Sequence, residues 1–182
     1  MKKITAIALV LALALSLVAC GGKEAATPTE EQAAVVTLEG TMEELLNKVV
    51  EQQPVEFMGG VMPVDLTDTS EDGLWAVKYF TGLDNADAIT EAAVFEPMMG
   101  SLAFSMVLVR VAPEADAKAV AEAMKSGIDT RKWICVEADD LMVAGYGDVV
   151  MLIMVGSDTG LTAQSFVDAF KTVAGAELSF TI

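Results

Sequence analysis

The chain has 182 residues, 53% of them hydrophobic, with 27 acidic and 11 basic side chains, a net charge of −16 and no histidine. A surface this acidic repels phosphate backbones and disfavours nucleic-acid binding. The missing histidine excludes Ser-His-Asp and Cys-His catalysis, His-ligated zinc and imidazole proton transfer, leaving carboxylate, lysine or tyrosine chemistry.

The first element is an export signal. Lys2 and Lys3 precede an uncharged run from Ile4 to Ala19, shorter than the roughly 20 apolar residues a spanning helix needs. A basic start, an apolar centre and a small-residue exit describe a secretory signal over residues 1–19. Leu17-Val18-Ala19-Cys20 resembles the bacterial lipoprotein signal, in which Cys20 becomes the first mature residue and carries the lipid. Each buried methylene contributes about 0.8 kcal/mol, so two or more chains anchor where one does not. The competing reading is an ordinary secretory signal with a chance cysteine. Residues 20–38 are expected to form a flexible tether, small and polar through Gly21–Thr29. Loss of residues 1–19 removes two lysines and no acid, which leaves −18 on the remainder.

Residues 39–182 are long enough for one α+β domain with its own core. Thr41-Met42-Glu43-Glu44 has capping-box spacing, and Met42, Leu45, Leu46, Val49 and Val50 form one stripe, which predicts a helix over Thr41–Gln53 ended by Pro54. Gly59, Gly60 and Pro63 predict an irregular stretch from Val55 to Thr67. A short helix is expected over Ser70–Phe80, burying Leu74, Trp75 and Tyr79 or Phe80. Two hairpins follow. The first joins Ile89–Glu96 to Leu102–Val111; the second joins Leu141–Ala144 to Val149–Val155 through Gly145-Tyr146-Gly147-Asp148. Each is followed by a helix, one opened by Pro113 and Glu114 and ended by Gly127, the other running from Thr159 or Thr162 to Gly175. A short strand, Leu178–Ile182, closes the chain. The architecture expected is a four- to five-stranded antiparallel sheet built from two hairpin–helix units, with an N-terminal helical segment. A shift of 46 residues lays Val107 on Ile153 and Val120 on Phe166, so the unit reads as duplicated. Both later helices are then placed on one face. Val149–Val155 is apolar on both sides, so the second face needs a cover, expected from Thr41–Phe80.

Several residues invite a functional reading. Asp68-Thr69-Ser70-Glu71-Asp72-Gly73 has the oxygen spacing and glycine of a calcium loop, but Tyr79 stands at the twelfth position, where glutamate is needed. A loop and helix cap is the expectation there. Glu137, Asp139 and Asp140 could supply acid and base if a cleft brought them together; a solvated loop before a strand is the plainer expectation. Arg110 lies on the core face of Phe104, Met106 and Leu108, where a lone charge is costly. If Phe95 pairs with Phe104, Glu91 lies diagonal to it, so a structural ion pair is expected before an anion site. With Cys20 lipidated, Cys135 has no disulfide partner and is expected as a buried small hydrophobe. The ten methionines beyond Met1 are scattered, not clustered at copper-ligand spacing, and read as packing or as an adaptable apolar surface. No metal and no cofactor is expected.

Over about Thr41–Gly175 the chain resembles an uncharacterised family of Gram-positive lipoproteins, domain of unknown function 4358. The resemblance rests on the signal and tether and on YFTGLDNADAI from Tyr79 to Ile89. It rests also on Glu96-Pro97-Met98-Met99, GIDTRKWICVEADD from Gly127 to Asp140, and the run beginning Gly147-Asp148. It implies an extracytoplasmic, lipid-anchored domain on the outer face of the cytoplasmic membrane, and brings no catalytic residue with it. The function expected is a non-enzymatic module that binds an envelope protein or cell-wall ligand. A carboxylate-dependent hydrolase of the envelope using Glu137 or Asp139 is the alternative, and a solute receptor ranks third.

Overall fold

The computed structural model describes residues 36–182; the signal segment, Cys20 and most of the expected tether lie outside the described residues. Helix α1, Met42–Gln52, starts at a complete capping box: Thr41 accepts from Glu44 N–H, and the Glu44 carboxylate accepts from Thr41 N–H. Its stripe of Met42, Leu45, Leu46 and Val49 is buried. A strand, β1 (Gly59–Pro63), occupies the stretch expected to be irregular. Glycine and proline are tolerated because it is an edge strand. Helix α2, Glu71–Thr81, is capped by Ser70 and ended by Gly82 at φ +80°.

Strands β2 (Ile89–Pro97) and β3 (Phe104–Val111) form the first hairpin, and α3 (Ala117–Gly127) follows, capped by Asp116. It starts three residues after Glu114, because Asp116 supplies the cap. Gly127 serves close packing: a Cβ there would lie 2.0 Å from Gly82 O, where the ends of α2 and α3 meet. Strands β4 (Asp140–Tyr146) and β5 (Val149–Val155) form the second hairpin. After a single 3-10 turn, α4 (Ala163–Ala174) runs from a Thr162 cap to Gly175, and β6 (Phe180–Thr181) closes the sheet.

The sheet is antiparallel, with six strands ordered β1-β2-β3-β5-β4-β6. Every residue of β5 is buried, as its two-sided apolar run requires. One face packs Phe95, Phe104, Met106 and Ile153 under α1 and α4; the other packs Val94, Val107, Val109 and Leu152 under α2 and α3.

Both hairpin–helix units are present, but α3 and α4 lie on opposite faces, and each early helix joins one late helix. The placement of both later helices on one face is therefore corrected. Superimposing one hairpin on the other within the sheet leaves the two helices on opposite sides, so the units have opposite hand. The 46-residue shift aligned Val107 and Ile153, which point to opposite faces. Strands β3 and β5 are apolar on both sides, so their sequences carry no alternation to show which side each helix takes. Two burial expectations also change. Trp75 and Leu74 are exposed, and α2 buries Gly73, Val77 and Thr81 instead. No described helix is long and apolar enough to cross a membrane.

Candidate functional site

The segment between α3 and β4, residues 128–139, crosses the end of the sheet where β2 finishes and β3 begins. Lys132 turns inward from it. Its side chain is 2% exposed, with Nζ 2.6 Å from Glu96 Oε1, 3.1 Å from Ser105 Oγ and 3.2 Å from the Tyr79 carbonyl oxygen. Nζ also lies 4.3 Å from the Tyr79 ring centre and 5.4 Å from those of Phe80 and Trp133. Glu96 and Ser105 are on the α2/α3 face by strand alternation, and α2 brings the aromatic rings over them. Burial pushes the Lys132 ammonium below the usual lysine range, while the Glu96 and Asp129 carboxylates pull the other way. Burial, helped by the same two carboxylates, pushes the Tyr79 phenol up. Glu96 Oε1 touches Nζ without the geometry of a hydrogen bond and, among the described residues, has no other donor. Such a pair holds loop, strand and helix together. At 2% exposure, it presents no nucleophile to a substrate.

Several exposed apolar side chains stand near this pair in the chain and in the strand register. Trp75 stacks on Tyr79 with ring centres 4.7 Å apart, and Trp75, Ile134, Met98, Met99, Met58 and Met62 are all exposed. A depression of about 300 Å³ beside the pair is lined by Arg131, Trp133, Cys135, Val136 and Glu137. Cys135 is exposed there at φ +70°, against the expectation of a buried thiol. Its neighbour Ile134 is exposed as well, so this stretch of the segment turns apolar side chains outward.

The carboxylates singled out in the sequence go to separate structural tasks. Glu137 pairs with Arg131 at 3.3 Å, both exposed. Asp139 accepts from Ser157 N–H at 2.8 Å, and the Ser157 hydroxyl and N–H together hold its carboxyl below the usual range. Asp140 accepts from Ala163 N–H at 2.7 Å in the first turn of α4. Asp68 accepts from Ser70 N–H, and Ser70 in turn caps α2. Gly73 is small because its Cα packs on the Asp68 backbone, where a Cβ would lie 2.2 Å from the carbonyl oxygen. Asp72 is an exposed first-turn residue. No group of three metal-ligating side chains occurs among the described residues.

Arg110 sits at the far end of β3. Four of its five N–H donors are used: Nε to Glu91 at 3.4 Å, Nη1 to Asp148 at 2.5 Å, and Nη2 to the carbonyl oxygens of Leu38 and Gly40 at 3.2 and 2.6 Å. The expected Glu91 pair is present through a different register. Phe95 faces Met106, and Glu91 is directly opposite Arg110, next to a bulge after Ile89. Asp148 and the N-terminal segment were missed. They approach from remote parts of the chain, which strand spacing cannot reveal.

Lys132 and Glu96 were also missed as a pair. One signal was available: Glu96 continues the core-facing alternation of Ala92 and Val94, and a carboxylate there needs a buried cation.

Comparison of the chain with protein-family models, with curated proteins and with solved structures found no match.

Proposed function

We propose that this is a lipid-anchored, extracytoplasmic protein of the kind its sequence resembles, held by Cys20 at the outer face of the cytoplasmic membrane. Its domain acts as a non-enzymatic module that binds another protein of the envelope. One observation carries the binding reading. The carboxylates Glu137, Asp139 and Asp140 are each engaged in a separate structural contact, whereas exposed apolar side chains stand near the Lys132–Glu96 pair: Met98 and Met99 just after Glu96, Met62 opposite Val94, and Trp75 stacked on Tyr79.

The placement of the chain ends supports a partner-facing pole. Residues Val36–Gly40 join the domain beside Arg110 and Asp148, a strand length away from the hairpin tip at Met98 and Met99. Eight residues of β3 at about 3.3 Å each separate the two ends by roughly 25 Å.

The test has two arms. Labelled fatty acid should be incorporated in cells and lost in Cys20→Ala; incorporation that survives this change overturns the anchor. Photo-cross-linking from position 75 in the anchored protein should give a defined protein adduct. Hydrolysis of wall polymer by the purified protein, abolished by Glu137→Gln or Asp139→Asn, would overturn the binding reading in favour of a carboxylate-dependent hydrolase.

A further inference from the structure

We infer that the outer edge of β1, with the shelf beside it, receives an extended polypeptide strand carrying apolar and cationic side chains from a partner protein. This deepens the reading of the domain as a binding module and rests on it.

The ladder to β2 uses only half of β1. Met98 N–H donates to Met58 O and Val64 N–H to Ala92 O, both at 2.9 Å, in a register that pairs Gly60 with Glu96 and Met62 with Val94. In an antiparallel pair, bonding alternates between the two edges. Residues 58, 60, 62 and 64 therefore face β2, and Gly59 and Val61 turn their N–H and C=O groups outward. Among the described residues, no hydrogen bond reaches those outward groups. Pro63 ends the run of donors. No charged side chain occurs between Phe57 and Val64 to guard the edge, although charge is the usual protection of such strands. The opposite edge, β6, is two residues long.

The two faces of β1 differ. Val61 packs toward α1 with Phe57 and Phe95, and a Cβ on Gly59 would strike the Phe95 ring at 2.5 Å. On the other face, a Cβ on Gly60 would meet nothing within 4 Å, and Met58 and Met62 are 77% and 44% exposed. This open strip is the shelf. Contacts run from its border at Glu96 through Lys132 and Tyr79 to exposed Trp75, and the exposed methionines of the strip are adaptable side chains.

Charge selects the occupant. Between Lys48 and Lys78 the chain holds Glu51, Glu56, Asp65, Asp68, Glu71 and Asp72 and no basic residue, so both ends of β1 run into carboxylates. A cationic strand is attracted there, whereas a second copy of this chain brings like charge. The same objection applies to residues 21–35, which carry Glu24, Glu30 and Glu31 against Lys23.

The test uses ¹⁵N-labelled protein from residue 20 onward with Cys20→Ser, titrated with an eight-residue peptide of alternating valine and lysine. Its control replaces lysine by glutamate. Saturable shifts and slowed exchange at the Gly59 and Val61 amides, with the lysine peptide only, are expected. Gly60→Arg and Met62→Lys, both at open positions, should weaken that binding by roughly tenfold through like-charge repulsion and leave the melting midpoint in place. Shifts scattered over the acidic surface and indifferent to Gly60→Arg would overturn the proposal. So would edge amides protected without peptide, whether in a sedimenting dimer or in a monomer that loses protection when residues 20–35 are removed. A cross-linked partner whose capture ignores Gly60→Arg would overturn this edge while leaving the binding-module reading intact.

Discussion

Arg110 and Asp148 grip Leu38 from both sides: the guanidinium donates to its carbonyl oxygen at 3.2 Å, and the carboxylate accepts from its N–H at 2.9 Å. The two side chains also meet each other at 2.5 Å. The entering chain is thus stitched to the ends of β3 and β5. Arg110→Met should destabilise by about 3 kcal/mol, the scale of breaking one partner out of a buried pair. Glu91→Gln, at a longer and more exposed contact, should cost about 1 kcal/mol. Urea unfolding measures both. Equal losses would show that the Asp148 contact does not dominate.

The Lys132–Glu96 pair calls for a double-mutant cycle. Lys132→Met leaves the Glu96 carboxylate buried without its cation and should cost about 3–5 kcal/mol. Adding Glu96→Leu should recover most of the loss, because an apolar pair replaces an ionic one in the same volume. Additive losses would argue against a coupled pair.

Stability should respond to alkaline pH through the same lysine. Its folded pKa is depressed by burial, so the unfolded chain binds more protons between that value and the unfolded value near 10.5. Stability from this group therefore rises with pH across that window. Lys132→Met should flatten the rise. The exposed Asp68, Asp84 and Asp139 have lowered pKa values from hydrogen bonding, so their contribution is present above 3.8 and is lost as pH falls through the folded values.

Asp140→Ala should cost about 1 kcal/mol, as loss of a carboxylate from a helix start does, without changing any bound ion. Calcium should leave the melting midpoint unmoved, since no group of three metal-ligating side chains forms around Asp68 among the described residues. A saturable calcium-dependent rise would restore the metal loop as a site.

Cys135 should react with a thiol reagent in the native protein at the rate of an open thiol, with no prior unfolding. Protection that lifts only with denaturant would return it to the interior.

Local chemistry was the legible part of the fold. The Thr41 capping box, the Thr162 and Gly175 helix ends, both hairpins and the double-sided burial of β5 all depend on residues near one another in sequence. Relations between remote segments were not legible. The side taken by α3 depends on a sheet whose central strands are apolar on both faces, and β1 becomes a strand only because β2 offers it an edge. The candidate carboxylates show the same limit. Glu137 and Asp139 both precede β4, and their remote or loop partners, Ser157 and Arg131, decide where they point.

The stitch at Leu38 also sets the path of mechanical load. Asp148 N–H holds Val36 O, and Asp148 O accepts from Val111 N–H, so a pull entering before residue 36 arrives at the tips of β3 and β5. These are the two central strands, each bonded on both sides. Drawn lengthwise, they resist in shear, with many ladder bonds sharing the force at once. A partner seated on β1 closes the path at that edge, so the load also crosses the β1–β2 ladder, where the register pairs five residues of each strand.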